Sequence, residues 1–188
     1  MNAISKLSML AFGAVVLSIS SLIAIASTDI LPVKTQTQKS LATCVGEKTP
    51  FRDLDFLVGN WEFFTQDGKK IADQSYSSRG QGCLILEDWK ELSGATGTGM
   101  NFVDPATGKW RQVWMSASFH IDYSGGLVED GRFVLEGRIY PNSGDPSSAF
   151  RGIYSRQTDG SVTKEFLIYD EKSKTWQRFF IGVARRKT

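Results

Sequence analysis

From Phe51 to Arg186 turn-forming residues interrupt the chain about every ten residues. They are Asp67-Gly68, Gly80 to Gly82, Asp104-Pro105 through Gly108, Gly125-Gly126, Asp130-Gly131, Asn142 to Pro146, Asp159-Gly160 and Glu171 to Lys174. The stretches between them are short and rich in Val, Ile, Phe, Tyr, Trp and Thr, which suit a pleated, half-buried surface. This spacing predicts an all-β antiparallel meander of about eight to ten strands, closed as an up-and-down barrel or folded as a sandwich. Only Arg52 to Val58 has the pattern of a short helix. A chain of 188 residues with 41% hydrophobic and 12% aromatic residues, 18 Gly and 5 Pro can bury a core, and is neither collagen-like nor disordered.

Each proposed turn fixes which residues face one another across a hairpin. A four-residue loop at Pro105 to Gly108 sets Asn101 opposite Gln112, Gly99 opposite Trp114 and Gly97 opposite Ser116, so small residues face a large ring. A turn at Asp159-Gly160 sets Ile153 opposite Phe166, and a loop at Glu171 to Lys174 sets Phe166 opposite Phe179. Ile153, Phe166, Ile168, Phe179, Ile181 and Val183 then share a face, read as interior. Tyr154, Tyr169, Trp176 and Phe180 occupy the other face, and a bulge at either turn inverts the assignment.

The chain begins with one positive charge at Lys6 and an uncharged apolar run from Leu7 to Ala26 that closes on Ala24-Ile25-Ala26. This is the layout of a signal peptide spanning residues 1–26, with cleavage after Ala26. An uncleaved anchor is the alternative, because the run is long enough to cross a bilayer as a helix. Once it is removed, no stable membrane insertion is expected. Residues 27–50 are polar and without sustained period, and read as an arm ahead of a barrel domain over 51–188. Cys44 lies too far beyond the apolar run to be a lipidation site. Residues 1–26 hold only one of 22 basic residues, against 20 acidic ones in the whole chain, so the remainder is nearly neutral. Nothing in that balance steers the protein toward nucleic acid.

In an exported chain two cysteines most simply pair. A Cys44–Cys83 disulfide closes a loop that contributes roughly 3–4 kcal/mol on the chain-entropy view. Without Cys-x-x-Cys or paired His, metal ligation is not expected. The location expected is periplasmic or secreted.

Four blocks carry a family resemblance: Asp55-Phe56-Leu57-x-Gly59-x-Trp61, Gly97-x-Gly99-x-Asn101-Phe102-x-Asp104-Pro105, Trp110-Arg111-Gln112-Val113-Trp114, and the closing Arg185-Arg186. In this order, across about residues 51 to 187, the chain resembles an uncharacterised bacterial family of lipocalin-like barrels in the calycin superfamily, distantly similar to nitrobindin-like barrels. The resemblance implies a lipocalin-like up-and-down β-barrel. It also implies that Gly59 and Trp61 close the barrel, the ring lying beneath an arginine of the last strand, Arg185 or Arg186. Nitrobindin-like barrels hold haem iron through a histidine, but the one histidine here, His120, lies in the middle strands, so haem is not carried over and no cofactor is expected.

The candidate ligand-binding residues are Asn101, Gln112 and Trp114 on one face of one hairpin, with Glu87 and Trp89 together on the neighbouring strand. Aromatic rings with a few amides and one carboxylate suit a small hydrophobic or amphipathic ligand held non-covalently, while a filled core with a satisfied polar network is the competing reading. Glycines at 94 to 99 relieve crowding against Trp114 or bend the strand. Two other classes of function are weighed. An envelope interaction or structural module would use Trp176, Tyr169 and Phe180 as exposed contacts around a solid barrel. A hydrolase or isomerase would use His120, with Asp122 on its face, or Glu165 turned inward near Tyr154. No Gly-x-Ser-x-Gly elbow accompanies them, and Ser161-Val162-Thr163-Lys164 lacks the helix a Ser-x-x-Lys pair needs, so no catalytic residue is assigned.

Overall fold

A computed structural model describes Cys44 and residues 50–188; the expected signal peptide, and the arm apart from Cys44 and Pro50, lie outside the described residues. Ten strands follow one another: β1 (Gly59–Phe64), β2 (Lys70–Arg79), β3 (Leu84–Glu91), β4 (Thr96–Val103), β5 (Trp110–Ser116), β6 (Phe119–Leu127), β7 (Phe133–Pro141), β8 (Ser148–Arg156), β9 (Val162–Asp170) and β10 (Thr175–Arg186). Each pairs antiparallel with its neighbour in sequence, and β1 pairs with β10 from Trp61 opposite Arg186 to Phe64 opposite Val183. Among the described residues the strands therefore form a closed up-and-down barrel with no free sheet edge, and the sandwich alternative drops out. This architecture is compatible with a calycin-like fold.

Period-two burial runs through most strands, as in β2, where Ala72, Gln74 and Tyr76 are buried between half-buried neighbours. The expected helix at Arg52 to Val58 is a single 3₁₀ turn, Asp55–Leu57, that lies at one end of the barrel. Leu54 and Leu57 pack there with Trp61, Ile85, Trp110 and Phe133 to form a solid floor. Trp61 Nε1 donates to the Leu57 carbonyl at 2.6 Å, and the Arg186 guanidinium stacks 4.2 Å from the Trp61 ring. Arg186 also donates to the carbonyls of Val58 (2.6 Å) and Phe56 (3.0 Å). Gly59 adopts φ +133°, and a Cβ there would meet Arg186 Nη1 at 2.2 Å, so only glycine lets the guanidinium pass. The closing cation is thus Arg186; Arg185 lies over Phe64 at 5.0 Å, because adjacent strand residues face opposite sides.

The β4–β5 hairpin has the expected register, with Asn101 opposite Gln112, Gly99 opposite Trp114 and Gly97 opposite Ser116. The C-terminal strands do not. Gln157 N–H donates to the Ser161 carbonyl, so β8 and β9 are joined by a three-residue loop with Gly160 at φ +82°, not a two-residue turn. The register moves by one: Gly152 faces Phe166, Tyr154 faces Lys164, and Ile153 turns outward while Tyr154 is buried. Between β9 and β10 the register is as expected beside the loop, with Gln177 opposite Ile168. A bulge between Arg178 and Phe180 then inserts Phe179, so Phe180 faces Phe166. Beyond the bulge Gly182 and Ala184 are buried, and Ile181 and Val183 lie on the outer wall. Phe180, expected on the surface, packs against the core; Tyr169 and Trp176 remain outside, their rings 5.4 Å apart.

Cys44 and Cys83 are joined, with Cα atoms 5.0 Å apart, and Arg52 donates to the carbonyls of Cys44 (3.1 Å) and Gly82 (2.7 Å) beside the bond. A disulfide of this kind suits a non-reducing, exported environment. Replacing both cysteines by serine is expected to cost about 3–4 kcal/mol, read as a lower urea midpoint with a steeper dependence on denaturant, because the unfolded chain without the crosslink is more expanded; an unmoved midpoint would show that the loop is held without the bond.

Candidate functional site

Above the floor the interior turns polar. In β9 the inward positions are Val162, Lys164, Phe166 and Ile168, and alternation therefore drives an ammonium into the barrel. Lys164 is 1% exposed. Its Nζ donates to Gln74 Oε1 and to Tyr76 Oη, both at 2.6 Å, and sits 4.6 Å from the Tyr76 ring centre and 5.5 Å from that of Tyr154. Gln74 relays the contact, its Nε2 donating to Glu87 Oε1 at 2.5 Å. Gln112 Nε2 donates to Glu87 Oε2 at 2.6 Å, and Gln112 Oε1 accepts from the phenols of Tyr123 and Tyr154. Seven side chains from six strands thus form one hydrogen-bonded layer, with a carboxylate near one side and an ammonium at the other. Such a layer is tolerable inside a barrel because its members are mutually satisfied.

Burial sets the electrostatics. It pulls the Lys164 amine down to about 8, against the opposing attraction of Glu87. It pushes the Glu87 carboxyl up, a shift restrained by the Lys164 charge and by hydrogen bonds from Tyr76, Gln74 and Gln112. The phenols of Tyr76 and Tyr123 are held well above their usual range, chiefly by burial.

Over this layer lies a cavity of about 330 Å³. Its wall is a belt of rings whose members approach in sequence: Trp89 to Phe63 at 5.0 Å, Phe63 to Phe180 at 5.6 Å, and Phe180 to Phe166 at 6.3 Å. The belt continues from Phe166 to Phe150 at 5.9 Å, to Phe179 at 5.6 Å, to Phe119 at 6.0 Å and to Trp114 at 5.4 Å. The β10 bulge completes it by aiming two consecutive phenylalanines at one opening, and Phe179, 47% exposed, stands at the rim. Trp114 lies flat because residue 97 is glycine: a Cβ there would be 2.1 Å from Trp114 Cζ2.

Of the candidate ligand-binding residues, Glu87, Trp89, Gln112 and Trp114 border this cavity. Asn101 faces inward too but does not reach it; it is 2% exposed, and its Nδ2 donates to the Ile85 carbonyl at 3.1 Å. Asn101 and Gln112 are cross-strand neighbours whose amides serve different partners. The catalytic candidates lie on the outer wall. His120 stacks on Tyr140 at 4.7 Å, Asp122 binds Arg111 through two contacts of 2.9 and 2.6 Å, and Glu165 pairs with Arg178 at 2.9 Å. Glu165 and Phe166 could not both point inward, so the inward charge of β9 is Lys164. Sequence reading meets Lys164 only in the dismissed Ser-x-x-Lys match and does not single out Gln74, Tyr76 or Tyr123, although each shares strand parity with apolar inward neighbours. Comparison with protein-family models and with curated proteins finds no match to this chain.

Proposed function

We propose that this chain is an exported barrel, lipocalin-like in design, that binds a small hydrophobic or amphipathic molecule non-covalently between the aromatic belt and the polar layer. The observation that carries this reading is the cavity itself, whose size falls at the lower end of ordinary ligand sites and whose wall is aromatic above a few convergent polar groups. Export by a signal peptide cleaved after Ala26 accords with the disulfide. The alternative, an envelope interaction module, draws support from the outer Trp176–Tyr169 pair, over which Arg151 stacks 4.3 Å from the Trp176 ring. The cavity favours the first reading, since a module needs none.

Saturable uptake of the neutral dye Nile red, with a blue-shifted emission, is the expected result for the wild-type protein. Gly97→Val displaces the Trp114 ring into the space the dye occupies and should weaken uptake by about tenfold or more while the β-sheet circular dichroism persists. Uptake of unchanged affinity in a folded Gly97→Val protein would move the dye to another surface and sink the proposal. Native mass spectrometry of protein from its own envelope should show a retained small molecule and a chain beginning at Ser27.

A further inference from the structure

The charge balance around the cavity selects the polar end of its occupant. Among the described residues three ionisable acid–base side chains other than phenols border it: Glu87 in the polar layer, Glu91 on the same face of β3, and Lys164. With the usual charges, two carboxylates face one ammonium. Lys164 is the least available of the three, since two of its three donors are occupied and aromatic rings crowd it. Glu87 is 5% exposed, and it accepts from the amides of Gln74 and Gln112 and from the Tyr76 phenol, which still leaves acceptor capacity on a group with roughly four lone-pair sites. The belt adds the same preference, because ring faces carry negative potential and favour a cation over an anion.

Resting on the binding reading above, we infer that the cavity takes a hydrophobic amine, its ammonium meeting Glu87 among the aromatic rings, and rejects carboxylates of the same skeleton. An acid entering this site brings a third negative charge into a poorly solvated space where one ammonium already serves Glu87. An amine brings the cation that balances Glu87 and Glu91. The discrimination lies as much in repulsion of the acid as in attraction of the amine.

The test is a matched set, octylamine, octanol and octanoate, titrated against the full chain with intrinsic tryptophan fluorescence and calorimetry as readouts; Trp89 and Trp114 border the site. Octylamine should bind best and octanoate worst, with at least about tenfold between them. Glu87→Gln keeps the shape of the side chain, removes its charge and leaves Lys164 without a counter-charge, so the ratio should fall and octanoate should gain. Octanoate binding as tightly as octylamine to the wild type overturns the inference and leaves the cavity reading standing. Failure of all three ligands, together with failure of Nile red, overturns both. The wild-type ranking stands as a test even where Glu87→Gln does not fold, and a folded Glu87→Gln protein with an unchanged ratio assigns the selectivity elsewhere.

Discussion

Lys164→Met is expected to lower folding stability by about 3–5 kcal/mol, because methionine approximates the aliphatic stem but strands a buried carboxylate. Lys164 and Glu87 are linked through Gln74, whose two ends bind one charge each at 2.6 and 2.5 Å. Removing the ammonium leaves Glu87 to take up a proton, and leaves Gln74 Oε1 without its Lys164 donor. The double variant Lys164→Met/Glu87→Gln should be more stable than Lys164→Met alone, since the stranded charge is gone. Urea unfolding followed by tryptophan fluorescence measures all three; equal midpoints for Lys164→Met and the wild type would show that the two charges do not depend on each other.

The same lysine gives the protein a pH signature. The folded-state amine sits at about 8, against its ordinary 10.5, so between pH 8 and about 10 the unfolded chain holds a proton that the folded chain has released. Stability contributed by Lys164 therefore rises with pH across that window, and the wild type should gain on Lys164→Met there. Above about 10 the phenols of Tyr76, Tyr123 and Tyr154 ionise in the unfolded chain while burial keeps them protonated in the barrel, so both proteins lose stability. A constant difference between the two proteins from pH 7 to pH 10 would contradict the assignment.

Trp61→Ala is the second large effect, at about 3–5 kcal/mol. The ring is 1% exposed in the floor, donates to the Leu57 carbonyl and supports the Arg186 guanidinium, so its loss opens the seam where β1 meets β10. Arg186→Ala removes the stack and two backbone hydrogen bonds at a more solvated position, and should cost about 1–2 kcal/mol. Arg185→Ala, on the outer wall, should stay within about 0.5 kcal/mol. Thermal unfolding of the three variants orders these costs, and a larger effect at 185 than at 186 would reverse the assignment of the closing cation.

How much was legible depended on whether local chemistry or the whole cylinder decided the outcome. The Pro105 to Gly108 loop fixed its own hairpin, and the register from Asn101 opposite Gln112 to Gly97 opposite Ser116 followed from loop length alone. At Asp159-Gly160 two- and three-residue connections were both open to the same residues, and the three-residue loop moved every side chain of β8 to the other face relative to β9. The β10 bulge had no local signal of its own; Phe179-Phe180 reads equally well with either ring inward. Glu87, Trp89, Gln112 and Trp114 could be grouped from strand parity and one hairpin. Lys164 could not be singled out while the inward face of β9 was open, because a charged residue in an alternating strand is ordinarily solvated.

The sequence by itself determined a meander of short antiparallel strands, the disulfide partners and the register of the β4–β5 hairpin, because each depends on turn chemistry, residue counting or contact between adjacent strands. Only the tertiary structure decided that the sheet closes, which C-terminal face lies inside, and that Lys164 meets Glu87 through Gln74. Those outcomes join residues 90 positions apart at Gln74 and Lys164 and 125 apart at Trp61 and Arg186, and strand pairing around a complete circuit, not any local preference, brings them together.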